Sequence, residues 1–244
     1  TFQWENADGT GDTYDFDGVI KAQSEWATNT WILVSGDAAA QNALYYWYNA
    51  DSKWRKHAAA ITAMNTASGS PTDLQGFGTG ANSNLYIAQG EATNMVRLNS
   101  FAGKLWRADN LNEIYYSADP HSDGSATWTA PTGENEGTVG DSTYLIRGMT
   151  VHDNALWIGK DDGIYKIYNS ASASGTEVWQ TQKVIDLSHL ISEFNGQAMI
   201  SFGGNLYFSA DRGLGKWDGA TMQMMGPDKG SNAAENFMQL QSIF

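Results

Sequence analysis

The sequence repeats with a period of about fifty residues, and this period limits the possible folds more than any other feature does. Each copy contains a Leu followed by an aromatic residue, then a polar turn, then a second strand that begins with an aliphatic residue. The Leu recurs at intervals of 51 and 50 residues, at Leu105, Leu156 and Leu206. The aliphatic residue recurs at intervals of 50 and 50, at Ile114, Ile164 and Leu214. A register held over three copies indicates one structural unit used repeatedly.

The residues between the strands are those that tight hairpins require. Asp153-Asn154, Asp162-Gly163 and Gly203-Gly204 stand where the chain must reverse, and these residue types adopt positive φ at little cost. A hairpin cannot bury its apolar face alone, so the copies must pack on one another. Radial stacking of units of this length predicts an all-β fold, a β-propeller of five to seven blades or part of one. We expect residues 1–244 to form a single domain of this kind, or a piece of a longer chain.

Two segments depart from the period. A looser copy carries Trp31-Ile32-Leu33-Val34, then Leu44-Tyr45-Tyr46, then Trp54. The segment Asn84-Leu85-Tyr86-Ile87-Ala88 contains a Leu-aromatic pair at Leu85-Tyr86, only 20 residues before Leu105. This pair predicts a shortened blade or an inserted hairpin, with residues 95–98 as its partner strand. Residues 188–194 carry one of the few helix signals, which predicts one or two helical turns.

Composition excludes several classes of partner and site. The net charge is −13, and the 14 Lys and Arg residues form no run. Nucleic-acid binding needs clustered basic side chains that displace counterions, so neither nucleic acid nor an anionic membrane is an expected partner. No apolar stretch approaches the ~18 residues that span a bilayer. Cysteine is absent, which excludes disulfides, thiol nucleophiles and zinc sites of the Cys type.

Some of the repeat motifs are similar to those of known propellers. The segment Leu156-Trp157-Ile158-Gly159, followed by Asp162-Gly163-Ile164-Tyr165, resembles the blade signature of sensor-type and other bacterial propellers. The segment from Ile114 through Asp119 to Gly124-Ser125-Ala126-Thr127-Trp128 resembles a degenerate Asp-box, the structural turn of sialidase-like propellers. It departs from that motif by the inserted residues 120–123.

A further resemblance covers residues 85–131. Leu85-Tyr86-Ile87-Ala88, then residues 101–106, then Ile114-Tyr115-Tyr116-Ser117 and Trp128, are similar to propeller-like tail and other virion proteins of bacteriophages. This resemblance implies a virion or extracellular location and an oligomeric assembly. The partners that it implies are other virion or surface proteins, or host glycans.

The candidate site residues divide into a core set and a contact set. The core set repeats with the blade, and such regular aromatics are expected in the core between blades. It comprises Leu105, Trp106, Trp128, Leu156, Trp157, Trp179, Leu206 and Tyr207. Trp47 and Tyr48 fall outside the regular pattern, and exposed aromatics of this kind can stack on sugars. They are therefore the candidates for glycan contact.

Metal and acid–base sites are weakly indicated. Asp8, Asp12, Asp15 and Asp17 form an acidic, glycine-rich opening, which suits calcium but lacks the EF-hand spacing. The expectation is therefore no cofactor, with calcium as the alternative. The four histidines, His57, His121, His152 and His189, share no metal spacing and are expected at the surface.

The first functional hypothesis is a non-enzymatic structural or adhesion module of a bacteriophage virion (tail or capsid-associated) or a cell surface, acting by protein or glycan contact. No catalytic residues are expected, because no nucleophile elbow and no sialidase-type arginine signature occurs. The alternatives are a secreted propeller glycosidase or lyase, and a ligand-sensing propeller of a bacterial receptor. A propeller fold alone does not choose among them.

Overall fold

The computed structural model describes residues 4–5, 19–35, 42–48, 53–57, 70–79, 83–90, 97–109, 112–118, 120, 128–131, 137–170, 177–211 and 213–225. All regular secondary structure in these segments is β. The described residues divide into two compact units, which meet in the sequence between Leu98 and Asn99. Among the described residues, no helix is long and apolar enough to cross a membrane.

The described residues of the first unit form seven strands in two sheets. They are β1 (Trp4–Glu5), β2 (Val19–Trp26), β3 (Asn29–Ser35), β4 (Ala43–Tyr48), β5 (Lys53–Lys56), β6 (Ser70–Phe77) and β7 (Asn84–Gly90). The larger sheet has the order β1-β5-β4-β3-β2, in which only the β1–β5 pair is parallel, and the smaller sheet is the β6–β7 hairpin. Leu74 of β6 packs with Ala22, Trp31, Leu33 and Leu44, so the two sheets share one core.

The predicted partner of the Leu85 strand is wrong. β7 pairs with β6, which precedes it in the chain, and Leu85 lies opposite Gly76. Residues 97–98 instead open β8 (Arg97–Phe101), the first strand of the next sheet. The preceding strand was missed because its sequence, Ser70–Phe77, carries Pro and Gly in place of an apolar alternation.

Eleven strands form the three sheets that follow. They are β8, β9 (Lys104–Asp109), β10 (Glu113–Ser117), β11 (Ile146–His152), β12 (Ala155–Lys160), β13 (Gly163–Asn169), β14 (Trp179–Asp186), β15 (Met199–Phe202), β16 (Asn205–Ala210), β17 (Gly213–Trp217) and β18 (Met222–Met225). Each sheet keeps chain order: β8-β9-β10, β11-β12-β13-β14 and β15-β16-β17-β18. Antiparallel sheets of three or four consecutive strands are the blades of a β-propeller.

The sheets of the second unit stack through two apolar layers. Trp106 and Ile114 of the first sheet pack against Leu156, Ile158 and other residues of the second. The opposite face of the second sheet carries Trp157, which packs with Leu206 and Phe208 of the third sheet. A hairpin repeat thus buries both faces of its middle sheet, as the stacking argument predicts.

Strand pairing reproduces the fifty-residue register. Leu156 lies opposite Ile167, and Leu206 lies opposite Trp217. Ile164 lies opposite Gly159, and Leu214 lies opposite Ser209. Both pairs of partners are displaced by 50 residues, so the β12–β13 and β16–β17 hairpins are equivalent and the all-β propeller prediction is confirmed.

The first hairpin of each sheet in this series turns through two residues with positive φ. Asp153 and Asn154 have φ of 44° and 53°, and Gly203 and Gly204 have φ of 56° and 76°. This pattern belongs to the two-residue hairpin turn whose twist matches the flanking strands. The first unit uses the same geometry at Ala27 and Thr28, with φ of 49° and 67°.

Residues 188–194 do not form the predicted helical turn. They run through hydrogen-bonded turns, with Leu190 N donating to Leu187 O and Asn195 N donating to Ser192 O. The helix signal is overridden because this connection must follow the edge of the sheet, where Ser192 N donates to Asp161 O.

Candidate functional site

Three tryptophans repeat one side-chain contact on the second strand of their hairpins. The indole Nε1 of Trp31, Trp106 and Trp157 donates to the backbone oxygen of the residue five positions earlier, at 3.1, 3.0 and 2.8 Å. The accepting residues are Trp26, Phe101 and His152, whose rings also contact the indoles. We call Trp31, Trp106 and Trp157 the hairpin tryptophans; each one ties its first hairpin together across the turn.

The structure places most of the predicted core set inside the second unit. Leu105, Trp106, Leu156, Trp157, Trp179 and Leu206 are buried. Trp179 packs edge-on against Trp106, with ring centroids 4.8 Å apart. Trp128 and Tyr207 are half-buried, and the Arg107 guanidinium lies over the Trp128 ring at 4.8 Å. The buried members of the set are therefore packing residues of the second unit.

The predicted glycan-contact pair lies on β4 of the first unit. The Trp47 ring is half-buried and packs edge-on against Trp54, with centroids 5.5 Å apart. The side chain of Tyr48 lies outside the described part. A glycan site built on Trp47 and Tyr48 remains a prediction.

The expectation of surface histidines is wrong for His152. It closes β11 and is buried, with Nδ1 2.8 Å from Ser201 Oγ of the following sheet. His57 is half-buried beside Trp31 and Tyr46, whereas His189 is exposed. The sequence-based expectation failed at His152 because its partner comes from a sheet 49 residues away.

The predicted calcium opening and His121 lie outside the described residues. Within the described segments, no group of three or more His, Cys, Asp or Glu side chains could hold a metal ion. Calcium binding at Asp8, Asp12, Asp15 and Asp17 therefore remains a prediction.

A buried charged cluster lies at one edge of the β11–β14 sheet and is the strongest candidate for a functional site. The edge cluster comprises Arg147, Lys160, Asp161, Asp162, Tyr165 and Lys183. The β12–β13 turn positions its two carboxylates, because Lys160 ends β12 and Gly163 begins β13. β11 supplies Arg147 and β14 supplies Lys183.

Each carboxylate of the edge cluster has its own cation. Arg147 Nε lies 2.6 Å from Asp161 Oδ1, and Leu145 N donates to Asp161 Oδ2 at 3.0 Å. Asp162 Oδ2 accepts from the Tyr165 hydroxyl and from Lys183 Nζ, both at 2.8 Å. Asp162 Oδ1 is buried and has no hydrogen-bond partner in the structure.

Lys160 is the most strongly desolvated cation of the cluster. Its side chain is fully buried, and Nζ donates to the backbone oxygen of Asp141 at 2.9 Å. Burial lowers the pKa of Lys160 to about 8, although the nearby carboxylates of Asp162, Asp161 and Asp141 oppose that shift. Lys160 therefore contributes a charge that is poorly solvated at neutral pH.

The pKa values of Tyr165 and Lys183 are both raised, which keeps the phenol neutral and the amine charged. Burial, together with the hydrogen bond to Asp162, raises the pKa of Tyr165. Burial opposes the charge on Lys183, but hydrogen bonds to Asp162 and Asp186 outweigh it and raise the pKa of that amine. The hydrogen bond from Lys183 to the exposed Asp186 lowers the pKa of the Asp186 carboxyl.

The edge cluster is suited to positioning loops and is poorly suited to catalysis. Its amine with a lowered pKa is fully buried, so a substrate cannot reach it. Its carboxylates are engaged by Arg147 and Lys183, which leaves them as acceptors rather than as an acid–base pair. A general base must reach a substrate proton within hydrogen-bond distance, and this geometry does not provide that reach.

Hydrogen bonds of the Asn195 side chain join the edge cluster to two neighbouring connections. Its side-chain amide donates to the backbone oxygens of Asp161 and Leu190, each at 2.7 Å, and its oxygen accepts from Asp211 N at 3.0 Å. It thereby links the β12–β13 turn, the β14–β15 connection and the β16–β17 turn. Gly196 follows it, and a Cβ at Gly159 would lie 2.4 Å from Gly196 O, so the connection lies directly on β12.

The segments beside the edge cluster, including the one that leads into β11, carry side chains that remain at least partly exposed. We define the edge surface as Tyr144, His189, Ile191, Glu193 and Asp211, of which Tyr144 is half-buried and the others are exposed. It offers an aromatic ring, an aliphatic side chain and three polar groups on a rigid base. Such a mixture suits a small polar ligand with an apolar face.

Comparisons with known proteins support the fold. No protein-family model and no curated protein matches the chain. It is similar to the extracellular domain assigned to the hybrid two-component system BT4673 from B. thetaiotaomicron, with a TM-score of 0.54 and 13% identity over 84% of this chain. A second structure, of the extracellular domain assigned to the one-component system BT4673, gives a TM-score of 0.54 and 12% identity over 88% of this chain. The chain spans 28% of the length of each.

Proposed function

We propose that this chain is a non-enzymatic, ligand-sensing β-propeller module that acts outside the cell, and that its ligand binds the edge surface. The observation that supports the proposal is the buried hydrogen-bond network that holds the connections of that surface. Hydrogen bonds of the buried Asn195 to Asp161, Leu190 and Asp211 hold the β14–β15 connection and the β16–β17 turn, in which His189, Ile191, Glu193 and Asp211 are exposed. A preorganised surface loses little conformational entropy when a ligand binds.

The solved structures favour sensing over other propeller functions. Both are extracellular domains assigned to bacterial signalling systems. The Leu156-Trp157-Ile158-Gly159 segment, which resembles sensor-type blades, lies on the strand that leads into the edge cluster. The sensing hypothesis therefore replaces the virion hypothesis as the main one, and contact with glycans or with other surface proteins becomes a question about the ligand.

A ligand screen with matched variants tests this proposal. The melting temperature of the parent would be measured with a panel of oligosaccharides, amino acids and nucleotides, because a ligand that binds only the native state raises Tm. We expect at least one class to raise it. The double variant His189→Ala with Glu193→Ala should lose the shift, and the control Glu113→Ala with Gln223→Ala, exposed residues on other strands, should keep it.

Two results would contradict the proposal. A shift that survives the edge variants but disappears in Trp47→Ala would move the ligand to the aromatic site on β4. Turnover of a fluorogenic glycoside that one carboxylate substitution abolishes would show an enzyme instead.

A further inference from the structure

Asn195 and Gly196 form the only Asn-Gly dipeptide of the sequence. In an unfolded chain this pair deamidates faster than other Asn-containing pairs, because glycine has no side chain to hinder the approach of its own amide nitrogen. That nitrogen loses its proton to a solvent base, attacks the Asn side-chain carbonyl carbon and displaces ammonia, which forms a cyclic imide. Water then opens the imide to Asp or isoaspartate, so the net reaction consumes one water and releases one ammonia.

The fold requires both residues of this pair. The Asn195 side chain is fully buried, and it makes the three hydrogen bonds described above, to two backbone oxygens and one backbone N–H. Gly196 has a φ of 63°, a left-handed conformation that residues with a side chain disfavour. A Cβ at Gly196 would also collide with Gly159 Cα. A less reactive pair at this place would therefore lose packing, hydrogen bonds or both.

The folded protein holds both reacting groups of the pair in other hydrogen bonds. Gly196 N, the attacking atom, donates to Ser209 O at 2.8 Å. The side-chain nitrogen of Asn195, the leaving group, donates to two carbonyl oxygens at 2.7 Å. Deamidation needs Gly196 N to be deprotonated and to approach Asn195 Cγ, and it needs water at the imide. The buried pair meets none of these conditions while its hydrogen bonds are intact.

Ser209 of β16 holds the β14–β15 connection closed at this pair. Its backbone oxygen accepts from Gly196 N, and its backbone N–H donates to Ala198 O, both at 2.8 Å. Its hydroxyl donates to Phe194 O at 2.6 Å and accepts from Ala198 N at 3.0 Å. These four hydrogen bonds hold residues 194–198 against β16. The hydrogen bond to Ser209 O must break before Gly196 N is released.

We propose that Asn195-Gly196 is a deamidation site that the folded protein keeps closed and that opening of the β14–β15 connection exposes. The product cannot restore the closed connection. Asp at position 195 has no amide hydrogens for the oxygens of Asp161 and Leu190, and its carboxylate would be buried beside them. Modification therefore converts a transient opening into a lasting loss of the Asn195 hydrogen bonds.

Peptide mapping by mass spectrometry tests the closed state, because each deamidation adds one mass unit. The parent would be incubated at mildly alkaline pH, both folded and in guanidinium. We expect deamidation at Asn195 to be about 100-fold slower in the folded protein, since a buried connection opens rarely. Asn169, an exposed residue followed by Ser170, should slow much less and is the internal reference. Equal rates at Asn195 in the two conditions would overturn the proposal.

Ser209→Ala tests whether these hydrogen bonds control the opening. It removes both hydrogen bonds of the hydroxyl and should accelerate deamidation of folded Asn195 about tenfold. The matched control is Ser201→Ala, which removes a hydroxyl 2.8 Å from His152 Nδ1, at another contact between the same two sheets. It should leave the rate at Asn195 unchanged, and Asn169 should react alike in all three proteins. Equal acceleration by both substitutions would overturn the proposal of a local opening.

Asn195→Asp measures the consequence of the modification. It should lower Tm by about 5–10 °C, because two buried oxygens lose their donors and gain a carboxylate beside them. A Tm equal to that of the parent would contradict the lasting loss that we propose. Circular dichroism establishes that each variant is folded before rates are compared, and the comparison of the folded and denatured parent depends on no variant. These measurements use no ligand, so their result is independent of binding at the edge surface.

Discussion

The β11–β14 and β15–β18 sheets have the same hairpin register but different surroundings. Leu156 and Leu206 are equivalent and both buried, because each faces the preceding sheet. Trp157 is buried under the following sheet, whereas its equivalent, Tyr207, is only half-buried. The comparison shows that strand pairing is local to each hairpin, while burial of the second face depends on a neighbour outside it.

The two sheets also differ at the edge where their middle strands turn. Lys160 and Asp161 of the edge cluster correspond to Ala210 and Asp211 in the last sheet. Ala210 provides no cation, and Asp211 is exposed and donates its backbone N–H to Asn195. The charged base of the edge surface is therefore built by one sheet, and the next sheet contributes only a turn. A site of this kind does not repeat with the fold.

The first prediction compares substitutions at Trp157 and at its equivalent, Tyr207, and its effect on stability should be the largest. Trp157→Ala should lower the free energy of unfolding by about 3–5 kcal/mol, because it opens a cavity in the layer between two sheets. Tyr207→Ala should cost about 1–2 kcal/mol, because the half-buried ring loses less contact. Chemical denaturation of both variants measures the difference. Equal losses would show that the face of Tyr207 is as well covered as that of Trp157.

The second prediction concerns the edge cluster. Asp162→Asn should cost about 2 kcal/mol, since it leaves Lys183 and the Tyr165 hydroxyl without their buried acceptor charge. Asp186→Asn, which changes the exposed partner of the same Lys183, should have a smaller effect because solvent screens that pair. Urea denaturation at pH 7 compares them. An Asp186→Asn variant as unstable as Asp162→Asn would show that Lys183 is held mainly from the surface.

The sequence predicted the repeat well because the repeat follows from local chemistry. The turns at Asp153-Asn154 and Gly203-Gly204 depend only on residues that accept positive φ. Trp31 belongs to the looser copy of the repeat, in which Thr30 stands where the other copies have the Leu before the Trp. The sequence feature that relates these three copies is an aromatic residue or His five positions before each Trp.

The edge cluster was not predictable in the same way. Asp161-Asp162 reads as an ordinary polar turn, and its burial requires Arg147, Lys183 and Asn195 from three other segments. His152 was misjudged for the same reason. The contacts that bury these side chains join residues 14 to 49 positions apart, in different strands and connections, and no local sequence pattern reports them.

The third prediction uses the lowered pKa of Lys160. Its folded-state pKa is about 8, below the ordinary ~10.4 of an unfolded chain, so between these values the unfolded state binds more protons. Stability attributable to Lys160 should therefore rise from pH 8 to 10. Relative to Lys160→Met, the parent should gain stability over this interval. A constant difference between the two proteins across that range would show that Lys160 is not desolvated.

The last prediction has the smallest effect on stability. It adds to the β15–β16 hairpin the indole hydrogen bond that the hairpin tryptophans make. Tyr207 stands five residues after Phe202, the spacing at which Trp31, Trp106 and Trp157 donate to a backbone oxygen. Tyr207→Trp supplies an indole N–H at that position and should stabilise the protein by about 0.5–1 kcal/mol, the net value of one hydrogen bond.

The control for this substitution is Tyr207→Phe, which keeps an aromatic ring and removes the hydroxyl without adding a donor. Thermal denaturation of the three proteins separates the hydrogen bond from added ring area. A Tyr207→Trp variant no more stable than Tyr207→Phe would show that the hairpin contact needs a covering sheet as well as its spacing.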